Sequence, residues 1–277
     1  MSLPTHVLAL WRAETIKLLS RTSARLGLIG AIAISLLIPL ILFWLSNTGM
    51  EMNGTEVKDA LGADAPMALN WSLRFLHWAF ILRAFIILLG TMTIAGEFSA
   101  KTLREDLLRP VPRAAILAAK WAALSTWIGL FLGITWLISS VLGLILFGTD
   151  GGWQDPALAY LVAGLCNVGF AALVLAIAVC IRSVPVTIVG VFLFLVMNTF
   201  LGWGLTVVSW ISEMADVPEA VEFVIQARPW LPSSALGAWY GFAVGEPWIW
   251  QNFAALGLLT ALSALVAAAV FEWIDVP

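Results

Sequence analysis

Five stretches of this chain run for at least 21 residues without a charged side chain: Leu26 to Ser46, Trp121 to Phe147, Ala157 to Ile181, Val184 to Ile211 and Trp248 to Phe271. Coiled as a helix at 1.5 Å per residue, each reaches across a hydrocarbon core of about 30 Å. A sixth run, Trp78 to Ala95, carries one charge, Arg83. Inside lipid a single segment can satisfy its own backbone N–H and C=O groups only as a helix. Composition agrees: 61% of the 277 residues are apolar and 11% charged, against about 25% charged in soluble domains. The fold class expected is an all-α integral membrane protein of six transmembrane helices in one domain, residues 1–277. The first 25 residues do not read as a cleaved signal, because Arg12, Glu14, Lys17, Arg21 and Arg25 stud them and no small-residue cleavage site follows a short apolar core.

Orientation follows from the basic residues. With the N-terminus inside, the inner segments hold Arg12, Lys17, Arg21, Arg25, Lys101, Arg104, Arg109, Arg113, Lys120 and Arg182, and the outer ones only Lys58, Arg74 and Arg228. Basic side chains accumulate on the cytoplasmic side, so the expected topology is N-in and C-in. Eleven acids, among them Asp59, Asp64, Glu213, Asp216 and Glu222, fall outside on the same assignment. Residues 47–77 and 212–247 are then the two sizeable external segments, and 96–120 is the substantial internal loop. The net charge of −3 and the lack of a basic stripe exclude a nucleic-acid partner.

Three connecting segments carry information. Residues 1–25 read as an interfacial helix: Glu14, Lys17, Arg21 and Arg25 step by three or four and share a face, with Leu8, Ala9, Ile16 and Leu19 roughly opposite. A basic anchor and a docking element are both compatible with that pattern. The internal loop reads GEFSAKTLREDLLRPVPRAAILAAKW. Thr102 and Glu105 have capping-box spacing for a short helix through Leu107 or Leu108, with Leu103, Leu107 and Leu108 on its apolar side. Pro110 and Pro112 end it. In the last external segment, Asp216 to Gln226 suits a short helix with Pro218 in its first turn, and a proline-broken aromatic stretch follows. Arg83 can snorkel outward, pair with an acid of the last external segment, or contact a substrate. Gly129 and Gly133 have the GxxxG spacing that permits close helix contact, a spacing that also arises by chance in a glycine-rich span. Cys166 and Cys180 are about 20 Å apart on one helix, too far for a disulfide. His6 and His77 have no ligand-spaced neighbours, so no metal site is expected. No catalytic constellation is visible.

The loop resembles that of type-2 ABC exporter permeases. The matching residues are Glu97, Thr102, Leu103, Leu107, Leu108, Pro110, Arg113 and Lys120; Lys101 and Ala119 stand where glycine is usual. The resemblance implies a multi-pass inner (plasma) membrane permease, not itself an enzyme, that works as a dimer with a second copy or homologue. Its loop would act as a coupling helix, through Glu97, Thr102, Leu103, Arg104, Glu105, Leu107, Leu108 and Arg113, against an ABC ATPase subunit. Glu97 and Arg113 bracket that helix and are expected to hold it at the membrane and at the partner surface. It also implies short helices dipping into the outer leaflet before the last span, so that 212–247 serves as a gate. No G-x-x-x-x-G-K-[ST] phosphate loop occurs, so ATP and Mg are expected in the partner chain and no cofactor here. Arg83, Trp230 and Trp239 are the candidates for a substrate path or gate. The cargo expected is an amphipathic drug, peptide or lipid; the alternative is a scaffold that transmits the ATPase stroke to a periplasmic partner without transport.

Overall fold

A computed structural model of the chain describes residues 3–48, 51–52, 55–56, 65–78, 80–103, 111–148, 154–214, 217–244 and 248–273. The five uncharged runs each lie in one helix, apart from Trp248 at the start of the last, whereas the sixth, Trp78 to Ala95, is divided at Phe80 and its span runs Ile81–Ser99. We number the α-helices in chain order: α1 Leu3–Ser20, α2 Thr22–Asn47, α3 Ala65–Trp78, α4 Ile81–Ser99, α5 Arg113–Phe147, α6 Gln154–Ile181, α7 Val184–Met214, α8 Pro218–Ala227, α9 Pro232–Leu236, α10 Ala238–Val244 and α11 Ile249–Glu272. Six of them, α2, α4, α5, α6, α7 and α11, are long and apolar enough to cross a membrane. A two-residue antiparallel ladder, Glu51–Met52 with Thr55–Glu56, sits between α2 and α3. A 3-10 turn, Arg228–Trp230, joins α8 to α9.

The helices assemble around α6. In its most apolar 18-residue stretch 67% of residues are buried, against 17% for α7, which lies at the rim of the bundle. Small residues set the closest approaches. A Cβ on Gly27 would come within 2.6 Å of the Trp127 ring, and one on Gly169 within 2.9 Å of Leu256. Lipid supplies no hydrophobic drive between helices, so such backbone contacts and interhelical hydrogen bonds hold the bundle. Tryptophan supplies three of those bonds: Trp11 Nε1 donates to Thr126 Oγ1 at 3.1 Å, Trp121 Nε1 to the Val168 carbonyl at 3.1 Å, and Trp127 Nε1 to the Ala24 carbonyl at 3.1 Å. Gly129 and Gly133 have nothing within 4 Å of an added Cβ, so their spacing makes no close contact within the chain.

The described residues of 47–77 and 212–247 share one feature. Much of each is helical and enters the bundle. In α3, Ala68, Leu69, Ser72, Leu73 and Leu76 are buried, one face at helical spacing. Ser139 Oγ donates to Ser72 Oγ at 3.0 Å, and the Tyr160 hydroxyl to the Leu69 carbonyl at 3.2 Å. His77 reaches Asn167, thirteen residues from the Gln154 end of α6 (167 − 154) and so about 20 Å along its axis. Helices α3 and α4 follow one another directly. Between them Phe80 has φ of 56°, the left-handed region that interrupts a right-handed helix. From the other segment, α9 and α10 pack against α6, and Cys166 Sγ lies 3.6 Å from the Ala235 carbonyl. Helix α8, Pro218–Ala227, has Pro218 in its first turn, within two residues of the expected Asp216 to Gln226.

Candidate functional site

At the end of the bundle that carries α1, charge is brought inside. Glu97 stands in the last turn of α4, where the helix dipole disfavours an acid, yet it is only 3% exposed. Lys120, two turns into α5, is 0% exposed. Its Nζ donates to Glu97 Oε2 at 2.7 Å and to Glu14 Oε2 at 3.1 Å. Lys17 pairs with the other oxygen of Glu97, and Arg21 approaches the same atom at 3.6 Å. Stripping water from an ion costs several kcal/mol, and only close opposite charges with hydrogen bonds offset it. Here two carboxylates and three cations meet within hydrogen-bond or ion-pair range.

The charged face of α1 therefore turns into the protein, while Leu8 and Ile16 on its other side are 62% and 61% exposed. The cluster joins three places in the chain. Glu97 lies just before the internal loop, Lys120 just after it, and Glu14 and Lys17 come from α1. Both stems of the loop are thus tied to the N-terminal helix.

The turn that leaves α4 explains one departure from the family pattern. The Thr102 N–H bonds the Glu97 carbonyl at 3.1 Å and the Lys101 N–H bonds the Phe98 carbonyl at 3.1 Å, the Schellman arrangement of a helix C-terminus. It requires a left-handed residue at Lys101, whose φ is 58°. Glycine enters that region without penalty, which is why glycine suits the position.

The other expected coupling residues divide. Thr102 is exposed and Leu103 is buried. Arg104, Glu105, Leu107 and Leu108, and with them the coupling helix itself, lie outside the described residues. Glu97 and Arg113, at the two stems of the loop, meet different partners. Glu97 faces inward, whereas Arg113 Nη1 donates to the Glu272 carbonyl at 2.9 Å and the Phe271 carbonyl at 3.5 Å. Arg113 thereby binds the open carbonyls and negative dipole end of α11. Sequence reasoning did not identify Lys120, Glu14 and Lys17 as partners of Glu97. The available signal was a lysine one residue from the start of an uncharged run.

At the far end of the bundle a second polar group is buried among aromatics. His77 Nδ1 lies 3.0 Å from the Leu73 carbonyl, which requires a proton on that nitrogen. Nε2 then accepts from Asn167 Nδ2 at 3.0 Å, and the imidazole is neutral. Trp239, 6% exposed, stacks on the ring with centroids 4.5 Å apart. Arg83 stands in the first turn of α4. Its Nη2 donates to the Leu236 carbonyl at 3.2 Å, and its guanidinium lies over the Phe170 ring at 5.8 Å. The segment it reaches is the expected one, and among the described residues the group it bonds there is the Leu236 carbonyl.

Two cavities of about 630 and 620 Å³ meet at Phe80 and Arg83. The first is walled by Trp71, Phe75, Trp239 and Tyr240 together with Arg74, and the second by α4 and the rim helix α7 through Ile87, Phe192, Leu195 and Trp203. Of the three gate candidates, Arg83 and Trp239 face this space, and Trp230 is 52% exposed and lines neither cavity.

Among the described residues no group of three or more His, Cys, Asp or Glu is placed to hold a metal. The comparison with curated proteins gave no match. The family profile described as "ABC-2 family transporter protein" matches residues 12–202. That span opens in α1, takes in the whole charge cluster, both loop stems and Arg83, and closes inside α7. The chain belongs to the ABC-2 family of transporter proteins, as a multi-pass membrane subunit with a permease role in ABC transport.

Proposed function

We propose that the chain is the permease subunit of an ATP-driven exporter, with α1, the 96–120 loop and both termini in the cytoplasm. Two permease copies, or this chain and a homologue, enclose the pathway. A separate ABC ATPase binds ATP and Mg and pushes on the loop. The observation that carries this reading is the Glu14–Lys120–Glu97 contact. A force applied to the loop arrives at α4, α5 and α1 together, because a buried lysine bonded to two carboxylates ties all three. At the far end, α4 and α7 line the space around Arg83, so a shift of α4 changes the walls of a cavity fit for an amphipathic cargo. That cavity favours transport over a scaffold that only transmits force.

The test is reconstitution with the ATPase. The chain alone should show no ATP hydrolysis. In the complex, Glu14→Gln should keep assembly and basal hydrolysis but lower transport per ATP. If Glu14→Gln couples as well as the unaltered chain, α1 is an anchor and not part of the transmission.

A further inference from the structure

The far-end cavity holds two guanidinium groups and, among the described residues, no carboxylate paired with either. Arg74 lies over the rings of Trp71 and Tyr240, at 5.9 and 5.3 Å from their centroids, and its Nε is buried without a hydrogen-bond partner. Arg83 directs one N–H to the Leu236 carbonyl. A guanidinium carries five donors, so among the described residues most of this donor capacity has no protein acceptor. The nearby imidazole is neutral and contributes no counter-charge. Arg74 and Arg83 are each half-buried, and an arginine withdrawn from water into an apolar bundle is costly unless something neutralises it. At the opposite end of the same bundle buried Lys120 is neutralised by two glutamates, so the sequence does supply counter-charges where a cation is purely internal.

We propose that this cavity binds an amphiphile with one anionic headgroup, a phosphate or a carboxylate. The headgroup sits between Arg74 and Arg83, and the tail lies in the adjoining cavity that begins at Phe80. Planar guanidinium forks suit both anions. The aromatic faces of Trp71, Phe75, Trp239 and Tyr240 take the apolar part next to the head. The second cavity, lined by Ile87, Phe192, Leu195 and Phe200, presents almost no polar surface and accepts an alkyl chain. Cationic amphiphiles are excluded by the same two charges. As an assignment of cargo class this rests on the exporter reading; as an assignment of a binding site it does not.

The full chain in non-ionic detergent can be titrated with pyrene-labelled phosphatidylglycerol or pyrene-labelled phosphatidylcholine, reading energy transfer from tryptophan. Phosphatidylglycerol should bind at least about tenfold tighter. A pyrene-labelled fatty acid should share that preference, and inorganic phosphate should not displace either ligand. Arg74→Gln and Arg83→Gln should each remove most of the preference and leave phosphatidylcholine binding unchanged, while Arg83→Lys should retain part of it. Equal binding of the two phospholipids by the unaltered chain would overturn the proposal, even if the variants fold poorly. So would an anionic preference that survives both glutamine substitutions, which would place it elsewhere on the basic surface. Displacement by phosphate at the lipid's own concentration would make this a free-anion site and overturn the amphiphile. None of these outcomes depends on transport, which the reconstituted complex tests separately.

Discussion

The two ends of the bundle solve one electrostatic problem in opposite ways. At the α1 end, Lys120 is fully enclosed and meets Glu97 and Glu14, while Lys17 and Arg21 complete the group. At the far end, Arg74 and Arg83 are held by ring faces and one carbonyl. Buried pairs are geometric devices more than stabilisers: removing one partner is costly, whereas replacing the whole set by apolar groups often is not. The first end therefore behaves as a joint, fixing the position of α1 against both loop stems. The second is a set of donors left open, which is what a ligand site requires and a joint does not.

Substitutions can break or sharpen that contrast. The largest effect should come from Lys120→Met, which leaves two buried carboxylates facing each other and should cost about 3–5 kcal/mol. Thermal unfolding of the purified chain in detergent reads it. The triple variant Lys120→Met, Glu97→Gln, Glu14→Gln should recover part of that loss, because the charges it leaves without a carboxylate, Lys17 and Arg21, are 43% and 23% exposed. Arg83→Met should cost less, about 1–3 kcal/mol, since only the Leu236 carbonyl loses a donor. A loss as large as that of Lys120→Met would make Arg83 a structural cation and erase the contrast between the ends. Lys101→Gly should act in the opposite direction and stabilise by about 1 kcal/mol, by relieving the left-handed lysine of the Schellman turn. Arg74→Met should be the mildest, within about 0.5 kcal/mol either way, since among the described residues no acceptor loses a hydrogen bond from it. A larger destabilisation would point to an internal role for Arg74 and weaken the ligand site.

Much of the fold was legible before any coordinates. A run such as Val184 to Ile211 is long, apolar and uncharged, and lipid leaves the backbone of such a run no conformation but a helix. The amphipathic spacing of Glu14, Lys17 and Arg21 was equally visible. The direction in which that face turns was not, because a charged face is compatible with water, lipid headgroups or a buried counter-charge. Helix α3 was hidden for a related reason. Asn70, Arg74 and His77 dilute its hydropathy, so a 14-residue helix that enters the bundle resembles an external segment when judged by charge alone. Its buried residues do repeat at helical spacing, and that period was the signal available.

What the sequence determined by itself is the number of candidate spans and roughly where each lies, since hydropathy and helical rise are sums over neighbouring residues. Tertiary structure alone decided which charges are neutralised. Lys120 finds its carboxylates 23 and 106 residues away, and Arg83 meets a carbonyl 153 residues away. The cost of a buried charge depends on what stands within a few ångströms of it, and packing, not order along the chain, sets that distance.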